Sequence, residues 1–136
     1  MPQPTFLAAS AFVALGGGFG AWLRFLTGLA WTALLGPART GAFPYGTLTV
    51  NVLGSLAMGL LAGWLLSRGA EGENARLLLG VGVLGGYTTF SSFSLDTIAL
   101  VSRGQVGLAA FYVAISLIAG FAALFAGLSI TKGVAA

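Results

Sequence analysis

Gly85-Gly86-Tyr87-Thr88-Thr89-Phe90-Ser91-Ser92-Phe93 places two glycines, four serine and threonine hydroxyls and two phenylalanines inside a segment otherwise apolar enough to cross a membrane. A glycine pair weakens a helix, and a peptide group released in hydrocarbon finds no water there. It must be satisfied by protein, by trapped solvent or by an ion. The stretch therefore predicts an interruption of its helix beside the glycines and a polar site at bilayer depth.

The rest of the chain has the composition such a site requires. Of 136 residues, 57% are hydrophobic and 7% charged, with a mean hydropathy of +0.98, where a soluble domain carries about 25% charged residues. This is the composition of an integral membrane protein. With no Cys and no His, thiolate chemistry, disulfides and imidazole ligands are excluded, and Glu71, Glu73 and Asp96 are the only acidic side chains. A hydrolytic enzyme would have almost nothing to work with, so no catalytic residues are assigned. The net charge is +3, but Arg24, Arg39, Arg68, Arg76, Arg103 and Lys132 are scattered. A nucleic-acid surface would cluster them; here they mark segment ends.

Those charges and the breaker residues divide the chain into four spans, at about residues 6–35, 46–67, 75–102 and 106–131, within a single four-helix domain covering residues 1–136. The first is longer than the roughly 20 residues a crossing needs, so it tilts or continues beyond the hydrocarbon. Met1-Pro2-Gln3-Pro4 lacks a basic n-region, which argues against a cleaved signal peptide. A turn-rich loop, residues 36–44, separates the first two spans. With the N-terminus inside, Arg68, Arg76 and Lys132 fall on one side and Arg24, Arg39 and Arg103 on the other. This balance gives no positive-inside preference and suits insertion in both orientations, hence an antiparallel homodimer. Gly16 and Gly20, and Gly59 and Gly63, stand four apart on helical faces. Such pairs serve equally well between subunits or within one.

Polar residues inside the spans form two rows. Thr47, Asn51 and Ser55 share one face of the second span, and Tyr112, Ser116 and Gly120 share one face of the fourth. Asn51 is the costliest to bury, because its amide carries two N–H donors and a carbonyl acceptor. In the third span Phe90 and Phe93 project after the interruption, where their positive ring edges can face a small anion without a fixed charge to trap it. Carbonyls freed near Gly85 and Thr88 have the opposite preference and suit a small hard cation. Asn51, Thr89, Ser92, Tyr112 and Ser116 can supply amide or hydroxyl hydrogens to a small anion in place of its water.

In three ordered motifs the chain resembles the CrcB/Fluc family of fluoride channels. These are Gly17-Gly18-Phe19-Gly20-Ala21-Trp22-Leu23-Arg24-Phe25, Gly46-Thr47-Leu48-Thr49-Val50-Asn51-Val52-Leu53-Gly54-Ser55, and the stretch from Gly85 to Phe93. The resemblance extends over all four spans and implies an all-α fold with a broken third helix. It also implies a dual-topology antiparallel homodimer with two pores, passive fluoride export, and a central structural sodium ion. Position by position, it implies that Phe90 and Phe93 line the ion path and that Asn51 turns toward it. Tyr112 and Ser116 then form a polar track, Gly85 and Thr88 supply backbone carbonyls to sodium, and Arg24 attracts anions at the vestibule. Gly120 departs from the pattern, since many relatives carry a hydroxyl there. The competing reading is a small four-helix proton-coupled multidrug exporter. That activity needs a membrane-embedded carboxylate, usually early in the first helix, and no acid precedes Glu71. Asp96 is the single candidate, and its place toward the end of the third span reads as a vestibule or helix-end residue.

Overall fold

The computed structural model describes residues 4–134 and leaves aside the side chains of residues 70, 71 and 132–134. Met1-Pro2-Gln3 and the Glu71 and Lys132 side chains, which entered the signal-peptide and charge readings above, lie outside the described residues. Helix α1 (Phe6–Leu35) starts where the Thr5 hydroxyl accepts the Ala8 N–H at 3.3 Å, and it stops at Gly36, whose φ of +80° suits glycine. Pro37 then opens the short α2 (Pro37–Ala42), and α3 (Tyr45–Leu66) follows Pro44. A 3₁₀ turn at Gly69–Gly72 leads into α4 (Glu73–Ala75), a π-helix (Arg76–Leu84) and α5 (Gly85–Tyr87). After Thr88 and Thr89 come α6 (Phe90–Ser102) and α7 (Val106–Val134).

Four helical stretches are long and apolar enough to cross a membrane: Phe6–Leu35, Tyr45–Leu66, Glu73–Ser102 and Val106–Thr131. Phe6, Leu7, Leu15, Phe121 and Phe125 are among the many large apolar side chains left exposed. Against lipid or another apolar surface such exposure carries no penalty.

Alternate spans run parallel and pack as two close pairs. Along α3 and α7, Ser55 stands by Gly120, Gly59 by Leu124 and Gly63 by Thr131, and a Cβ at Gly59 or Gly127 would run into a carbonyl of the other helix. Along α1 and the third span, a Cβ at Gly16 would meet the Leu78 carbonyl, one at Gly20 the Val83 carbonyl, and one at Gly86 the Gly17 carbonyl. Both glycine pairs that the sequence left open between two roles thus pack within one subunit. Close backbone approach substitutes for the hydrophobic drive that lipid removes.

The interruption of the third span lies two residues later than the glycine pair suggests. Gly85 and Gly86 are helical, whereas Thr88 (φ −80°, ψ 158°) and Thr89 (φ −153°, ψ 119°) are extended. Gly86 is needed for contact with α1. The break itself is made by a side chain of another helix, Asn51, as described next.

Candidate functional site

Asn51 holds the break open by acting as a piece of neighbouring backbone. Its Oδ1 accepts the Thr89 N–H at 2.8 Å and its Nδ2 donates to the Thr89 carbonyl at 3.1 Å. A continuing α-helix would send that N–H to the Gly85 carbonyl. Asn51 therefore supplies the exchange of two hydrogen bonds that makes an extended residue tolerable in an apolar setting. Thr89 then caps α6, its Oγ1 accepting the Ser92 N–H at 3.1 Å and donating to Ser92 Oγ at 3.1 Å. The Thr88 hydroxyl bonds back to the Leu84 carbonyl at 2.9 Å.

Two cavities flank the break, and both include Thr89 in their walls. The first, about 350 Å³, is bounded by Asn51, Ser55, Phe90, Phe93, Ser116 and Gly120 among others. The second, about 740 Å³, includes Arg24, Trp31, Tyr45, Thr47, Ser92 and Asp96. Arg24 is half-buried, and its guanidinium donates to the Thr88 carbonyl at 3.2 Å. The Thr47 hydroxyl donates to Asp96 at 2.6 Å. Neither the Thr47 to Asp96 link nor the Arg24 to Thr88 link is legible in spacing, since 49 and 64 residues separate the partners.

On α7, Ser116 borders the smaller cavity and Tyr112, one turn earlier, borders neither. Tyr112 is fully buried, and among the described residues neither its hydroxyl nor that of Ser116 makes a hydrogen bond, although both atoms are shielded from solvent. Thr47 and Asp96, which bond each other, also stand near the Tyr112 hydroxyl. Buried hydroxyls are nearly always paired; the Tyr112 hydroxyl has Asp96 and Thr47 for neighbours, whereas the Ser116 hydroxyl, one helical turn away, has no partner among the described residues and is free to donate to an ion.

The predicted site residues are distributed around this centre. Asn51, Thr89, Phe90, Phe93 and Ser116 border the smaller cavity, and Ser92 with Arg24 borders the larger. Phe90 and Phe93 lie 5.8 Å apart, tilted by 42°; Phe90 is 79% exposed, while Phe93 packs on Tyr112 at 5.3 Å. Gly85 and Thr88 sit at the end of the first half of the span. Beside Gly120, the Ser55 hydroxyl lies 3.7 Å from where a Cβ would stand, so a hydroxyl from α3 reaches the place where α7 lacks one.

A four-span membrane protein with an interrupted helix between two cavities, lined by neutral donors and aromatic rings, has the architecture of a small ion-conducting protein. Comparison with known proteins narrows this. The family model described as CrcB-like protein, Camphor Resistance (CrcB), matches residues 11–128. The chain is 60% identical over 129 residues to a protein of Novosphingobium aromaticivorans named fluoride-specific ion channel FluC, covering 95% of this chain and all of that one. Proteins of the same name from Rhodopseudomonas palustris and Rhodospirillum centenum are 48% and 51% identical, covering 90% and 88% of this chain and 95% and 92% of theirs. The chain belongs to the CrcB family and is a multi-pass membrane protein.

Proposed function

We propose that this chain is a fluoride channel that lets the ion run passively down its gradient. The observation that carries the reading is the buried Ser116 hydroxyl, unpartnered among the described residues, in the wall of a cavity that Asn51, Thr89, Phe90 and Phe93 also border at the helix break, with the Tyr112 hydroxyl one turn away on the same helix. Fluoride is a small, strongly hydrated acceptor, so a passage must offer closely spaced N–H and O–H donors in place of its water. Ser92, Tyr112 and Ser116 provide hydroxyls, the Thr89 O–H being given to Ser92, and Asn51 has one amide N–H beyond the one it gives to Thr89. Phe90 and Phe93 contribute positive ring edges. None of these groups carries a fixed positive charge, which favours release as well as entry. Arg24 stays at the wall of the larger cavity, held to the Thr88 carbonyl, where it raises the local anion concentration without standing in the passage.

The assembly is read as an antiparallel homodimer with two pores. Support comes from the even distribution of basic residues and from the exposed Phe90 ring, which leaves the smaller cavity with an open side that a second copy would close. A structural sodium ion fits the carbonyl chemistry of the break. Thr89 sends its N–H to Asn51, which leaves the Gly85 carbonyl without its helical partner, and at the Thr88 carbonyl a cation would displace the Arg24 guanidinium. No three His, Cys, Asp or Glu side chains gather among the described residues, so a cation here would rest on the Gly85 and Thr88 carbonyls. When bound, it would supply positive charge that holds the broken helices of the two subunits together.

Fluoride efflux from loaded liposomes tests the function. The expected result is rapid release of fluoride, retention of chloride and no need for a proton gradient. Proton flux that depends on an added drug, with fluoride retained, would select the exporter reading instead.

A further inference from the structure

Tyr112 is gripped from two sides, and one of the gripping residues touches neither cavity. Phe93 packs at 5.3 Å on one side, and Phe43 meets the ring edge-on at 5.6 Å with an interplanar angle of 83°. Phe43 belongs to the linker between α2 and α3, outside the four spans, and is absent from the walls of both cavities. The linker is itself pinned. The Phe43 N–H donates to the Arg39 carbonyl at 3.1 Å, the Tyr45 N–H donates to the Phe43 carbonyl at 3.0 Å, and Arg103 reaches across to the Gly41 carbonyl at 2.6 Å. Tyr45 then packs on Phe43 at 4.9 Å and stacks on Trp31 at 5.2 Å, and Trp31 donates to Thr49 at 2.9 Å.

We propose that Phe43 is a positioning residue for fluoride conduction, acting through Tyr112. This rests on the reading of the Tyr112 hydroxyl as a donor to the ion. Among the described residues no protein atom lies within full hydrogen-bond geometry of that hydroxyl, although Thr47 and Asp96 stand near it. Its direction follows the tilt of the ring, which Phe43 and Phe93 flank within a cluster that also holds Leu48, Leu100 and Leu108. Edge-to-face contact is directional, whereas an aliphatic side chain of similar bulk fills space without favouring one tilt. A small ion stripped of water is sensitive to displacements of a fraction of an ångström in its donors. The short α2 segment and its Arg103 clasp are thereby part of the conducting machinery, even though the ion never passes them.

Fluoride efflux from liposomes, measured for the wild type, F43L, Y112F and the F43L/Y112F double variant, tests this as a double-mutant cycle. F43L is expected to slow efflux several-fold, F43Y to restore most of the wild-type rate, and the double variant to be no slower than Y112F alone. A merely structural role would make the two losses multiply, and that outcome overturns the proposal, as does an F43L rate equal to wild type. Y112F conducting like the wild type would instead overturn the assignment of Tyr112 as an ion donor, and the role of Phe43 with it. If F43L does not give monodisperse protein, R103Q, which frees the Gly41 carbonyl while keeping both rings, takes its place in the same cycle under the same criteria.

Discussion

Residues 76–87 and Phe90–Ser102 belong to one membrane span, yet they are held in unlike ways. The first half lies backbone against backbone on α1, with Gly16, Gly17, Gly20, Gly82 and Gly86 at the seam. The second half is fastened by polar side chains: Asn51 to both backbone groups of Thr89, Thr89 to Ser92, and Asp96 to Thr47. Close backbone packing leaves no room for solvent or ligand and makes a scaffold. Directional bonds separated by cavities leave donors available and make a site. The change from one regime to the other occurs at Thr88 and Thr89, where helical hydrogen bonding stops.

The largest effect is expected from crowding the scaffold half. G86V drives a side chain into the Gly17 backbone and should cost about 1–3 kcal/mol or more, seen as loss of monodisperse protein or a lower thermal midpoint in detergent. Its neighbour sharpens the contrast. A Cβ at Gly85 meets only the Gly80 carbonyl, at an ordinary 3.7 Å, so G85A should keep or slightly raise the midpoint. Equal damage from both variants would erase the distinction between the seam and the break.

Next in size is Asn51. N51A removes two bonds to Thr89, at about 0.5–1.5 kcal/mol each, and leaves buried backbone groups unpaired. The expected outcome is a protein that still purifies as a single species but has lost most fluoride efflux, because the break closes or reorients. Full efflux in N51A would show that the second half does not depend on this clamp.

A smaller change follows from S116A, which deletes an unpaired hydroxyl. Nothing in the protein loses a partner, so the thermal midpoint should hold or rise while efflux slows by up to about tenfold, the equivalent of about 1.4 kcal/mol in barrier height. A fall in stability with unchanged efflux would reassign Ser116 to packing. The smallest effect is expected at the start of the third span, where Glu73 and Arg76 form an exposed pair at 2.7 Å. E73Q should alter neither efflux nor thermal midpoint, since a solvent-screened pair of this kind adds little.

Much of this molecule was readable as text. The four spans follow from the length of apolar runs between charges, and the importance of the Gly85 to Phe93 stretch follows from hydroxyls set in hydrocarbon. The face shared by Tyr112 and Ser116 is a matter of helical periodicity. The position of the break was less accessible. The glycine pair suggested Gly85 and Gly86, but those residues serve the seam with α1, and the interruption occurs at two threonines with no intrinsic need to leave the helix. Phe43 carries no such signal, because nothing in a loop between two prolines and a helix start indicates contact with a tyrosine almost seventy residues away.

Sequence by itself determined that the chain lives in a membrane, crosses it four times and carries neutral donors at bilayer depth, because hydrophobic length and helical period are local properties. Tertiary structure alone decided which donors are consumed and which are left over. Asn51 is largely engaged with Thr89 and Thr47 with Asp96, while Tyr112 and Ser116 remain unpaired. That division cannot be local, because a hydrogen bond in hydrocarbon is settled by whichever partner the packing of other helices brings within about 3 Å.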